Sequence, residues 1–376
     1  MLNSTTQIEP QSHFTPPDVL SRFHNIIEYN PNSFEKIAYN PETFEKILIL
    51  HQKVTGSFWQ KSPYFFDETT DLRAPSSYPY LHEYFLGSIT TRDFIKLSEP
   101  LNQDLELFEL QEIPGTLVID FRNTQRQSVY MDRISHFIEV KRGEIYPQWE
   151  FEDELKRRDR FCDDFNGDIG CGLGGGHDLT AKHLADFFNA YQANDVSLTF
   201  EETELRDILV LNNILTEDHE GFWIPADNAV IITTCRSFSP DIRLLTTQHE
   251  VQHAAFFLNP DYAQAVSDVW HSFTEREQKI LASLLYYTAT HYDIHDDTLL
   301  LNEVASNSIE PQYEFLGWHK MFITSKEHFH EVEPTERVLT HDEFLAIDEK
   351  ELALLAFRSH QFFKSVALKF NAPILI

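Results

Sequence analysis

Thr246-Thr247-Gln248-His249-Glu250-Val251-Gln252-His253-Ala254-Ala255-Phe256-Phe257 is the segment on which the reading of this chain turns. As a helix it places His249 and His253 four residues apart, so both imidazoles leave one face a turn apart and can share a tetrahedral Zn²⁺. Glu250 lies one position on, at the edge of that face. A carboxylate there reaches a metal-bound water without displacing it, which is the geometry of a general base. Bare His-Glu-x-x-His patterns occur by chance often enough that the flanks decide. Every position from 246 to 255 other than His249, Glu250 and His253 is uncharged, and Val251, Ala254 and Ala255 give the helix an apolar side to bury.

Outward from this segment, Asn259-Pro260 stops the helix, and its start is expected near Asp241. The β-rich runs Phe222-Trp223-Ile224 and Asn228 to Cys235, separated by Pro225-Ala226-Asp227, read as a hairpin feeding the helix. A free sheet edge around Val230 to Thr234 is then expected to accept an extended peptide by β-augmentation. Downstream, helices are expected at about 261–292, 297–308, 312–325 and 340–369.

Two histidines leave a catalytic zinc short of protein ligands, since three plus water is the rule. Phe256 and Asn259 stand where a metzincin carries Gly and His, which excludes that class. The segment from about 228 to 317 resembles a gluzincin metallopeptidase: a strand, the HEVQH helix, the aromatic pair Phe256 and Phe257, a helical spacer, and then Leu301-Asn302-Glu303-Val304-Ala305-Ser306-Asn307. It is also similar to bacterial proteins with an HExxHxxFF helix. The resemblance implies Glu303 as third metal ligand, Zn²⁺ as cofactor, a peptide or protein as substrate, and Tyr313 or His319 as stabiliser of the oxyanion. It also places, where Asn307 stands, an acid that bonds back to a ligand histidine; Asn offers a carbonyl oxygen but no charge. His271, His291, His295, Asp296, Asp297 and Glu310 are alternative donors, chief among them Glu310 and His295.

Two other readings share these residues. Glu250-x-x-His253 together with Glu327-His328-Phe329-His330 gives two Glu-x-x-His pairs, as in a di-iron site, and a mononuclear iron enzyme that modifies peptides could use the same helix. A non-catalytic binding or effector protein with a structural His-Glu-x-x-His is the third.

Sixty acidic against thirty basic side chains give a formal charge of −30 over 376 residues, which repels nucleic acid and anionic membranes. Lys141-Arg142 and Lys156-Arg157-Arg158 are flanked by acids and read as solvated faces. Cys162, Cys171 and Cys235 form no metal-binding or disulfide pattern, and the start of the chain has no basic and apolar leader. With no run of 18 apolar residues either, the expectation is a soluble cytoplasmic protein with no membrane partner.

The expected fold class is α+β. A mobile tail at 1–20 precedes an N-terminal mixed α/β domain at 21–160, which includes two near-copies of a helical segment at 29–37 and 39–47, an irregular stretch at 58–79, and strands at 115–121 and 135–140. A zincin-like metallopeptidase domain at 161–376 combines a small sheet, the active-site helix and a helical C-terminal part. Residues 162–176 hold six of the twelve glycines. They read as a flexible loop or hinge, because the polar segment before them does not fit a dinucleotide fingerprint and Gly175 stands where a calcium loop needs Glu.

Overall fold

Strand periodicity and helix caps divide the chain into a sheet with helices on both faces. The computed structural model describes residues 85–97, 99, 101, 103–140, 143–151, 176–238, 240–287, 294–309 and 335–374. The strands are β1 (Phe85–Ile89), β2 (Leu105–Leu110), β3 (Thr116–Phe121), β4 (His177–Thr180), β5 (Leu215–Glu217), β6 (Trp223–Pro225) and β7 (Val230–Cys235). Five form a mixed sheet in the order β1-β2-β3-β7-β4, with β1 and β2 parallel, β2 and β3 antiparallel, β3 and β7 parallel, and β7 and β4 antiparallel. The helices are α1 (Thr91–Phe94), α2 (Thr124–Ser135), α3 (Ala181–Ala193), α4 (Phe200–Leu211), α5 (Pro240–Leu258), α6 (Pro260–Ser272), α7 (Glu275–Tyr287), α8 (Asp297–Ile309), α9 (His341–Leu345) and α10 (Glu349–Lys369). This is an α+β fold.

Side chains alternate across a strand, so β3 and β7 feed two cores. Leu117, Ile119, Phe121, Ile231 and Cys235 pack with Tyr130, Met131, Leu184, Phe187, Leu205 and Ile208 of α2, α3 and α4. Val118, Val230 and Ile232 face the other way, against Val251, Ala254 and Ala255 of α5 and the helices behind it. The uncharged flanks of the histidine segment are the surface by which α5 enters that second core.

The sheet draws β1–β3 from before residue 160 and β4 and β7 from after it, so it crosses the boundary expected at 160/161. Five expectations are corrected. Ser135 to Val140 is not a strand: α2, capped by Asn123, runs on into a π-helical turn at His136–Val140, and Phe137 buries its ring against Phe187 and Tyr191. The residues after Trp223 do not form a hairpin with β7. Instead β6 pairs with β5 in a separate two-stranded ribbon, and β7 is buried between β3 and β4. Its run Val230 to Thr234 therefore has no free edge for a peptide; β4 is the edge of the described sheet on this side. The helix expected over 261–292 breaks at Phe273, because Thr274 and Glu277 form a reciprocal cap that starts α7. The last helix is likewise two, α9 and α10, with Ala346 closing the first.

The tail and the 29–47 copies, the 58–79 stretch, both basic clusters, Cys162, Cys171, the glycine run up to 175, His291, the 312–325 helix and Glu327 to His330 lie outside the described residues. No helix among the described residues is long and apolar enough to cross a membrane.

The N-terminal part of α5 is fixed to the sheet by charge. Asp120 of β3 is fully buried, and Arg243 meets it with two nearly parallel hydrogen bonds of 2.8 Å each. Arg236, just past β7, donates to the same carboxylate at 2.6 Å and to Glu106 of β2 at 2.7 Å. Arg243 also donates to the carbonyls of Cys235 and Phe94 and lies 4.3 Å over the Phe94 ring. Removing one member strands a buried charge. Asp120→Ala is therefore expected to cost about 3–5 kcal/mol in urea unfolding, well above the cost of losing the exposed Lys96–Asp93 pair, for which Lys96→Ala serves as control.

Candidate metal centre

Helical periodicity puts His249 and His253 on one face of α5, and the structure sets their rings 4.5 Å apart with the two Nε2 atoms 2.9 Å apart. Facing them is α8, which Asp296 caps through the backbone N–H groups of Thr298 and Leu299. On α8, Glu303, Ser306 and Asn307 share one face by their three- and four-residue spacing. The carboxylate of Glu303 reaches both histidines: Oε2 is 3.7 Å from Nε2 of His249, and Oε1 is 3.7 Å from Nε2 of His253. His249, His253 and Glu303 thus present three donor atoms within 4.8 Å of one another, a spacing that suits one small cation.

Neutral imidazoles are the form that binds metals, and burial supplies it here. Burial pushes His249 down to about 4. His253 is held well below its ordinary value by burial first and by the adjacent His249 second, with a hydrogen bond to Asn302 acting in the opposite sense. Ser306 Oγ lies 3.1 Å from Nδ1 of His253, which leaves Nε2 to face the centre. Among the described residues Asn307 bonds to no histidine; its Nδ2 donates to the backbone carbonyl of Glu303 at 2.8 Å and to Oε2 of Glu303 at 3.3 Å. The support expected of residue 307 is thus divided, with Ser306 orienting the histidine and Asn307 steadying the carboxylate.

Glu250 is buried at the edge of the histidine face, against Gly176. A Cβ at position 176 would come within 2.2 Å of Glu250 Oε1, so any larger residue there would push this carboxylate from its place and glycine leaves it room. On the far side of α5, Gln248 and Gln252 donate to the carbonyl of Pro373 at 3.0 and 2.7 Å, and Tyr262 donates to Gln252 Oε1 at 2.9 Å. His183 of α3 packs edge-on against Phe257, while Phe256 enters the core.

Of the alternative donors, His295 and His271 are exposed and belong to no donor group among the described residues. Glu310, Tyr313 and His319 lie outside the described residues. Sequence reading missed Asp178, Ser306 and Gly176. The available signal was the pattern after the glycine run: His177-Asp178-Leu179 alternates like a strand, and Thr180 with His183 forms the capping box that opens α3.

His177 points to the opposite face from the centre, with Nδ1 2.8 Å from Ser135 Oγ, and burial lowers it to about 4. A histidine kept neutral in the fold stabilises fully above its unfolded value near 6.5, and that contribution is lost as pH falls toward 4. Imidazole NMR should find His177 neutral at pH 5.5. Unfolding free energy should drop by up to about 3 kcal/mol between pH 6.5 and 4 on this account, with a flatter profile in His177→Gln. Comparisons with family models, curated proteins and solved structures found no match for the chain.

Proposed function

We propose that this protein is a zinc-dependent peptide hydrolase on a zincin-like plan, with His249, His253 and Glu303 as metal ligands and Glu250 as general base. The observation that carries the reading is the meeting of two helices remote in sequence: Glu303 of α8 lies 3.7 Å from each of two imidazoles on α5. Both imidazoles are neutral by burial, and both carboxylate oxygens of Glu303 face them. A bound zinc ion would supply Lewis-acid polarisation and an acidified water at this centre.

The chain's own residues do the rest. Glu250, beside the histidine face but outside the ligand trio, takes a proton from the attacking water as its oxygen bonds to the scissile carbonyl carbon. It then passes that proton to the departing amine as the C–N bond breaks. Gly176 keeps the space that this carboxylate needs. The outer edge of β4 is the proposed place for an extended peptide, since among the described residues no further strand pairs with β4 on that side. Tyr313 or His319 is the proposed donor to the oxyanion, from the chain that follows α8.

Two histidines and one carboxylate are also the set that non-haem iron takes, which is the specific observation in favour of an iron-dependent oxidising or peptide-modifying enzyme. Elemental analysis of protein purified without added metal separates the two: one equivalent of zinc is expected, and iron would favour the rival. Absence of any metal, with an unchanged double-histidine variant, would favour a non-catalytic binding protein.

Glu250→Gln should keep zinc and lose about 10²- to 10⁴-fold in the rate of peptide cleavage, and His253→Ala should lose both metal and cleavage. A fully active Glu250→Gln enzyme would end the assignment. Gly176→Ala should resemble Glu250→Gln, retaining zinc while cleavage falls, because the added methyl displaces the carboxylate; a Gly176→Ala protein as active as the parent would show that this close approach has no catalytic role.

A further inference from the structure

Asp178 has no part in the scheme above, yet it stands at the centre. In the antiparallel pairing of β4 with β7 it lies opposite Ile232, so it points to the same side as Ile232, toward α5, while His177 and Leu179 point to the other. Its Oδ1 is 3.7 Å from Nε2 of His253, the same distance as Glu303 Oε1 from that nitrogen, and its side chain is only 12% exposed. Asp178, Glu250 and His253 form a second trio of donor atoms within 4.8 Å of one another.

The two trios meet only at His253. Nδ1 of that ring is taken by Ser306, so Nε2 alone is left, and it can serve one ion. The second trio is therefore not a second histidine-ligated metal site. With Nε2 committed beside His249 and Glu303, the carboxylates of Asp178 and Glu250 remain as acceptors within 4.8 Å of it and of one another. A water molecule between them has two O–H bonds, and two carboxylates can each accept one.

We propose that Asp178 is a further catalytic residue: with Glu250 it holds the reacting water from two sides, fixing the direction of its lone pair while Glu250 takes the proton. Asp178 accepts a hydrogen bond throughout and ends the cycle unchanged. Because it rides on the edge strand proposed to pair with the substrate, the same short segment that aligns the peptide also aligns its nucleophile. This inference rests on the metal-hydrolase reading.

The test uses the full chain, zinc-loaded and cobalt-substituted, with a fluorescence-quenched decapeptide pool as probe. Asp178→Asn should retain one metal ion per chain, with a chelator-competition midpoint within about threefold of the parent, while kcat falls about 10- to 100-fold and KM changes little. The visible spectrum of the cobalt form should shift, because the water there exchanges a charged acceptor for a neutral one. Unchanged kcat and an unchanged cobalt spectrum would overturn the role of Asp178 and leave the hydrolase reading standing. Loss of metal from Asp178→Asn would also overturn it, by making Asp178 a ligand. A parent protein that binds no metal or cleaves nothing in the pool would sink the hydrolase reading itself, and this inference with it. Thermal melting checks folding, and if Asp178→Asn melts early, Asp178→Ser carries the same expectations.

Discussion

The carboxylate of Asp120, closed off from solvent and shared by Arg236 and Arg243, is the constraint on which the arrangement of the centre depends. Desolvating three charged groups is expensive, and only near-ideal geometry compensates for it. That geometry exists in one register alone: β3 must supply the acid, the end of β7 one guanidinium and the first turns of α5 the other. His249 follows Arg243 by six residues, about 9 Å along the helix. The network thus fixes both the height and the rotation of α5 over the sheet, and with them where the two imidazoles point. Apolar packing of Val251, Ala254 and Ala255 is non-directional and would tolerate a small slide; the bidentate pair does not.

Around the histidines the chain gathers carboxylates. Glu303 arrives from α8, Glu250 from α5 itself and Asp178 from β4, so three formal negative charges surround two imidazoles that burial keeps neutral. Such a pocket attracts a divalent cation and disfavours an anion. The supports are matched to the donors: Ser306 leaves one nitrogen of His253 to the centre, Asn307 steadies Glu303, and the missing side chain of Gly176 gives Glu250 its place. Asn307 sits one turn from the carboxylate it steadies, Ser306 on the helix facing His253, and Gly176 just before the strand beside Glu250.

The elements nearest the motif were the most legible. Helix α5 and its stop at Asn259-Pro260 follow from local signals: a run of helix-compatible residues, an Asn that caps the next helix and a proline in its first turn. β3 was readable as a β-branched, apolar run after Gly115. What misled was local strand character without a partner. Ser135 to Val140 has the composition of a strand, but it continues an already capped helix, and Trp223 to Pro225 sits close to β7 in sequence yet pairs with β5. Pairing is a decision between distant segments, and periodicity within one segment does not record it.

The sequence by itself determined the set of candidate donor groups: two histidines one turn apart, a glutamate beside them, uncharged neighbours to bury the helix, and a later Asn302-Glu303 on a helix of its own. Those features are local, because helical spacing converts directly into a shared face. Only the tertiary structure decided which remote groups meet there. It brought Glu303 to both rings, turned Ser306 rather than Asn307 toward His253, and made a four-residue strand after a glycine run into the edge that delivers Asp178. These outcomes depend on sheet order and helix crossing, which arise from the summed packing of two cores on either side of β3 and β7 and from the single register that satisfies Asp120.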